Sequence, residues 1–142
     1  MDAKEYFLNI RKMGFKLKMV EDDVKELVNL SERAGAMDYS IERVQTGEAI
    51  KEPAFVKVLD RIEKRRDAYR ELFLEYEEAT TNATRQLNML EHSVGASIIR
   101  EKYFKGKNLE KISREMNFSL PNVKYHYGNA MREFTRRELW NQ

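Results

Sequence analysis

Residues 108–134 read NLEKISREMNFSLPNVKYHYGNAMREF, and two helices joined by a tight turn account for them. Asn108 suits the cap of a short helix, Glu110 meets the positive end of its dipole, and Leu109, Ile112 and Met116 give it an apolar stripe. Asn117 tolerates the left-handed conformation a sharp turn requires, Phe118 can plug inward, and Ser119 can cap the helix that follows. Pro121 falls in the first turn of that helix, where its missing N–H costs nothing. Val123, Tyr127, Ala130, Met131 and Phe134 recur at helical spacing and form its inner face.

Upstream, VGASIIREKYF predicts a further helix with Val94, Ile98 and Tyr103 or Phe104 on one side, ended by KGKN at Gly106. A small residue, Ser113, where two helices cross, with Ile112, Met116, Phe118 and Val123 as the internal wedge, meets the requirements of a helix-turn-helix. Residues 92–142 are therefore expected to form a three-helix domain of that type.

The first 91 residues follow another rule. From Tyr6, steps of four and three land on Ile10, Met13, Leu17, Val20, Val24, Leu27, Ser31 and Ala34, a coiled-coil repeat. Gly35 suits the end of that helix near Ala34, and a linker is expected at about 36–52, before Pro53. The same alternation runs from Phe55 through Leu59, Ile62, Arg66, Tyr69, Phe73, Tyr76, Thr80, Ala83, Leu87 and Leu90 to Val94, predicting a second helix of about 40 residues. Arg66 breaks the seam and is read as snorkelling outward. The fold expected is all-α: a long antiparallel helical hairpin over residues 1–91, then the three-helix domain. Phe7, Phe15, Val28, Val56, Val58, Leu72 and Leu74 lie off the seam, an excess that points to homodimerisation through this region, the alternative being packing against the linker or the C-terminal domain.

Charge divides the same way. Residues 1–91 carry 16 Lys+Arg and 19 Asp+Glu, net −3, and residues 92–142 carry 10 and 5, net +5. A basic module on an acidic scaffold points to nucleic acid. The absence of Cys removes disulfides, thiolate zinc sites and cysteine nucleophiles. The two histidines, His92 and His126, fall on different predicted helices, no phosphate-binding loop motif occurs, and neighbouring acids such as Asp22 and Asp23 diverge on a helix. No enzyme, no metal and no cofactor is expected. No membrane-spanning run or signal sequence is seen, which leads to the expectation of a cytoplasmic protein.

The stretch REKYFKGKNLEKISREMNFSLPNVKYHYGNAMREF, residues 100–134, resembles region four of bacterial sigma factors, through Arg100, Glu110, Ile112, Ser113, Ser119, Val123, Ala130 and Phe134. With the helical N-terminal part and YSIERVQTG at 39–47, the chain is similar to the sigma-region-four-like late transcription regulators of phages and prophages, of the ArpU and RinA type. It departs from the pattern at Ser113 for Ala, at Asn117 for Gly and at Pro121. The resemblance implies a regulator of phage or prophage late genes in the host cytoplasm, with double-stranded DNA as partner and bacterial RNA polymerase as a candidate second one. Residues 1–91 lack the promoter-melting part of a complete sigma factor.

A helix-turn-helix places the start of its last helix in the major groove, which makes Leu120, Pro121, Asn122, Lys124 and Tyr125 the candidates for base contact. Lys107, Asn108, Lys111, Arg114, Ser119, Arg132, Arg136 and Arg137 are the candidates for phosphate contact. Two other readings accommodate the same features: a DNA-recognition subunit of a phage packaging machine, similar to a small terminase, and a structural coiled-coil adaptor whose basic end binds an acidic protein.

Overall fold

The computed structural model describes the backbone of residues 1–41 and 54–142 and the side chains of residues 1–33 and 56–142. Every regular element among them is helical: α1 (Ala3–Ile41), α2 (Ala54–Leu87), α3 (Ser93–Tyr103), α4 (Leu109–Met116), α5 (Leu120–Arg136) and a closing 3-10 turn, Leu139–Asn141. None of these helices is long and apolar enough to cross a membrane. α1 continues past Ala34 to Ile41, so Gly35 does not end it; one glycine lowers helix propensity by only about 1 kcal/mol, which a long helix absorbs. Most of the expected linker, 42–52, lies outside the described residues.

α2 is shorter than its apolar repeat suggests, stopping at Leu87. Its last turn tightens through Met89 N–H to Gln86 O and Leu90 N–H to Leu87 O, both at 3.1 Å. The chain then turns, and Val94 belongs to α3. A carboxylate some 40 residues downstream holds the turn. Glu133 accepts the N–H of Glu91 at 2.9 Å and of His92 at 3.4 Å, and Arg137 donates to it at 3.0 Å and to Met89 O at 2.8 Å. Burial pushes the Glu133 carboxyl up, but these donors outweigh it and hold its pKa below the ordinary value.

Two compact units divide the chain, Met1–Phe15 with Leu74–Gln142 and Lys16–Phe73. In the first, buried packing runs across residue 91. Phe7, Ala83, Leu87 and Leu90 share one cluster with Ile99, Tyr103, Ala130, Phe134 and Leu139. The Phe7 ring lies 4.8 Å from that of Phe134 and stacks on Tyr103 at 5.4 Å, so this off-seam residue is covered by the chain's own basic end. Tyr6 donates its hydroxyl to the buried Gln86 at 2.6 Å. A Cβ at Gly95 would overlap Ala130 Cβ and the His126 carbonyl, because α3 and α5 touch backbone to side chain there. A smaller cluster of Ile98, Ile112 and Val123, flanked by Val94, Leu109, Met116 and Phe118, joins α3, α4 and α5.

In Lys16–Phe73, Val58 and Ile62 are buried and Tyr69 and Leu72 half-buried, whereas Leu59 and Phe73, expected on the seam, are exposed. The apolar stripe therefore keeps Ile62 and Tyr69 of the sequence repeat and takes Val58 and Leu72 in place of Leu59 and Phe73. This arrangement leaves Arg66 pointing outward and brings Arg65 to Asp23 at 3.7 Å. The repeat admits either choice at these alternate positions because Val58 and Leu59, like Leu72 and Phe73, are both apolar; packing selects between them.

Candidate nucleic-acid interface

Local interactions place α4 and α5 at each end. Asn108 is extended, and its side chain accepts the Lys111 N–H at 2.8 Å. At the other end of α4, Asn117 sits at φ 55°, ψ 36°. Around it Phe118 N–H reaches Ser113 O at 3.1 Å and Asn117 N–H reaches Arg114 O at 3.4 Å, the paired bonds of a Schellman turn. The Ser113 hydroxyl closes the same turn by donating to Phe118 O at 2.6 Å, so the small residue is itself part of the lock. Ser119 then caps α5, its Oγ accepting the Asn122 N–H at 3.3 Å. Three residues thus carry the chain from one helix into the next, and α5 extends for 17 residues, about 25 Å.

Val123, Ala130 and Phe134 are fully buried on the inner face of α5, and Tyr127 and Met131 are half-buried beside them. The Tyr127 hydroxyl meets that of Tyr103 at 2.6 Å, and burial followed by this bond pushes its pKa up. Pro121, Lys124 and Tyr125 are exposed on the outer side of the first turns, Tyr125 at 64%, with Leu120 and Asn122 half-buried at the edges. The five base-contact candidates therefore sit together on about a turn and a half of α5. His126 lies against Tyr125 and Phe118, at ring separations of 5.4 and 6.2 Å.

The phosphate candidates divide. Lys111, Arg114 and Arg136 are exposed and make no ion pair among the described residues, and Arg132 is exposed with a bond to Asn129. Asn108 and Ser119 are occupied as helix caps. Lys107 is held between Glu101 at 2.6 Å and Glu115 at 2.7 Å, bonds that raise its pKa, and it joins the end of α3 to α4. Arg137 is committed to Glu133 and Met89. In the sequence Glu133 looks like any other acid in a charged run, and its one signal is a spacing of four from Arg137.

Among the described residues no group of three His, Asp or Glu side chains converges as a metal site would require. No protein-family model, curated protein or solved structure matches the chain.

Proposed function

We propose that the chain is a sequence-specific DNA-binding transcription regulator of the phage and prophage late-gene type that residues 100–134 resemble. α4, the Asn117 turn and α5 act as its helix-turn-helix. One observation carries this reading: the outer face of α5 has cations and no carboxylate. Between Leu120 and Arg137 the one acid is Glu133, which is buried and satisfied by donors, whereas Lys124, Arg132 and Arg136 are exposed. Such a face suits a groove lined by phosphates, with Lys124, Asn122 and Tyr125 at base edges and Lys111, Arg114, Arg132 and Arg136 at the backbone.

The helical hairpin is part of the proposal. Within the first unit Tyr6 meets Gln86 and Gly14 approaches the Tyr76 ring, partner numbers that fall as α1 numbers rise, which supports antiparallel α1 and α2. Met19, Leu30, Leu59 and Phe73 stay exposed in Lys16–Phe73, apolar side chains that a second copy could cover, which suits a two-fold operator.

The test is fluorescence anisotropy of the full chain with selected and random duplexes at several salt concentrations. Enrichment of one motif bound roughly a thousandfold more tightly than random duplex is expected. Lys124→Ala is expected to weaken binding to that motif about tenfold or more with the fold intact. Equal affinity for every duplex would remove the regulator reading.

A further inference from the structure

Positive charge gathers at a second place in the unit formed by Met1–Phe15 and Leu74–Gln142. The start of α1 lies beside the last turns of α5, where the Ala3 N–H donates to Thr135 Oγ1 at 3.2 Å. An open groove of about 470 Å³ runs there, with Asp2 and Lys4 on the α1 side and Tyr127, Met131 and Thr135 on the α5 side. Arg132 and Arg136 line it as well. Tyr127, Met131 and Thr135 follow Lys124 at steps of three, four and four, so the groove continues the Lys124 side of the helix.

Lys102 adds a cation at the Tyr127 end, its Nζ 5.6 Å and 5.9 Å from the ring centres of Tyr103 and Tyr127. Burial pushes the Lys102 pKa down, and repulsion from Arg11 and Lys4 pushes it further. Arg11 Nε is buried without a hydrogen-bond partner. None of Lys4, Arg11 and Lys102 makes an ion pair among the described residues. The carboxylate that lines the groove, Asp2, is turned to the backbone and accepts the Glu5 N–H at 2.8 Å. Like charges gathered and partly desolvated in this way are unfavourable in the isolated chain, and a bound anion offsets them.

We infer that this groove is a DNA-backbone site in which Lys4, Arg132 and Arg136, with Lys102 at its Tyr127 end, hold phosphates of the duplex whose bases α5 reads. The start of the first helix is then part of the DNA interface, although it lies more than a hundred residues from α5 in sequence. The inference rests on the DNA-binding reading. Lys124 and Thr135 are about 16 Å apart along α5, a length that at one charge per roughly 1.7 Å of duplex axis passes several phosphates.

The test uses the full chain and the same anisotropy titrations on its selected duplex and on random duplex. Lys4→Glu, an exposed change that places an acid where the helix dipole favours one, is expected to weaken both complexes by a similar factor and to lower the salt slope by about 1. Lys102→Gln is expected to do the same. Lys102→Arg is expected to restore binding, which separates charge from packing on the tyrosine rings. Lys124→Ala, by contrast, discriminates between the two duplexes. Unchanged affinity and slope in both Lys4→Glu and Lys102→Gln, with Lys124→Ala still impaired, would overturn the groove and leave the α5 reading standing. No duplex binding by the unaltered chain would overturn both.

Discussion

Phe134 and Phe73 both continue an apolar repeat at helical spacing, yet Phe134 is fully buried and Phe73 is 42% exposed. The same contrast separates the two units. Around Phe134, rings and aliphatic side chains from α1, α2, α3, α5 and the closing turn meet in one cluster. Among the described residues of Lys16–Phe73 the buried ones are Val58 and Ile62, and Met19 and Leu59 stay open to solvent. A pair of helices can cover one stripe on each member and nothing more. Further elements must arrive from elsewhere in the chain to bury the remaining apolar surface, and Leu74–Gln142 supplies them to the first 15 residues.

Paired truncations should break that comparison if it is wrong. Phe134→Ala removes a fully buried ring that contacts Tyr6, Phe7 and Trp140, and should cost about 3–5 kcal/mol in urea denaturation. Phe73→Ala removes a ring stacked on Tyr69 with solvent on its open side, and should cost less than about 1 kcal/mol in dilute solution. Equal losses would mean that Phe73 is covered in the folded chain, and a Phe73→Ala cost that grows with protein concentration would identify a second copy as the cover.

A smaller effect tests how the first unit is fastened. Burial raises the Glu133 pKa and its donors lower it by more, so the folded value lies below the unfolded one. Its contribution is therefore complete above the ordinary glutamate pKa of about 4.3 and is lost as pH falls through the folded value. Glu133→Gln should destabilise the chain at pH 7 by about 2 kcal/mol, with the gap to the unaltered chain narrowing as the pH is lowered towards 3. A gap that stayed constant with pH would mean that the charge of Glu133 is not what holds the Glu91–His92 turn.

How much of this was legible in the sequence follows the range of the forces involved. Helix caps and the left-handed turn act over three to five residues, and Asn108, Asn117 and Ser119 do in the structure what their side chains suggest. The inner face of α5 was legible for the same reason, since its period is local. The end of α2 was not: no Gly or Pro marks Leu87, and the turn after it is held by a carboxylate more than 40 residues away. Nor was the choice of Val58 over Leu59 and of Leu72 over Phe73, because these are adjacent apolar residues and either member of each pair continues the stripe that Ile62 and Tyr69 begin. The candidate site divides likewise. Lys124 and Tyr125 could be placed from the turn ahead of them, whereas Lys4 joins α5 only through the fold, and Lys107 and Arg137 looked free until their partners, Glu101, Glu115 and Glu133, were located.

The smallest effect is confined to one pair of backbone angles. At φ 55° Asn117 occupies the left-handed region, which Asn tolerates and Gly occupies freely. Asn117→Ala should cost about 1 kcal/mol, because the added strain falls on a residue that the Schellman bonds to Ser113 and Arg114 prevent from relaxing. Asn117→Gly should leave stability within roughly 0.5 kcal/mol of the original. The matching change in the other unit, Lys25→Ala, acts within the regular helix α1 on a residue whose partner is an exposed Glu21 at 3.4 Å, and should shift stability by less than about 0.5 kcal/mol. Thermal denaturation of the three variants ranks them. If Asn117→Ala proved as mild as Lys25→Ala, the α4–α5 turn would be able to relax without its left-handed residue, and the fixed angle on which the α5 reading depends would lose its local cause.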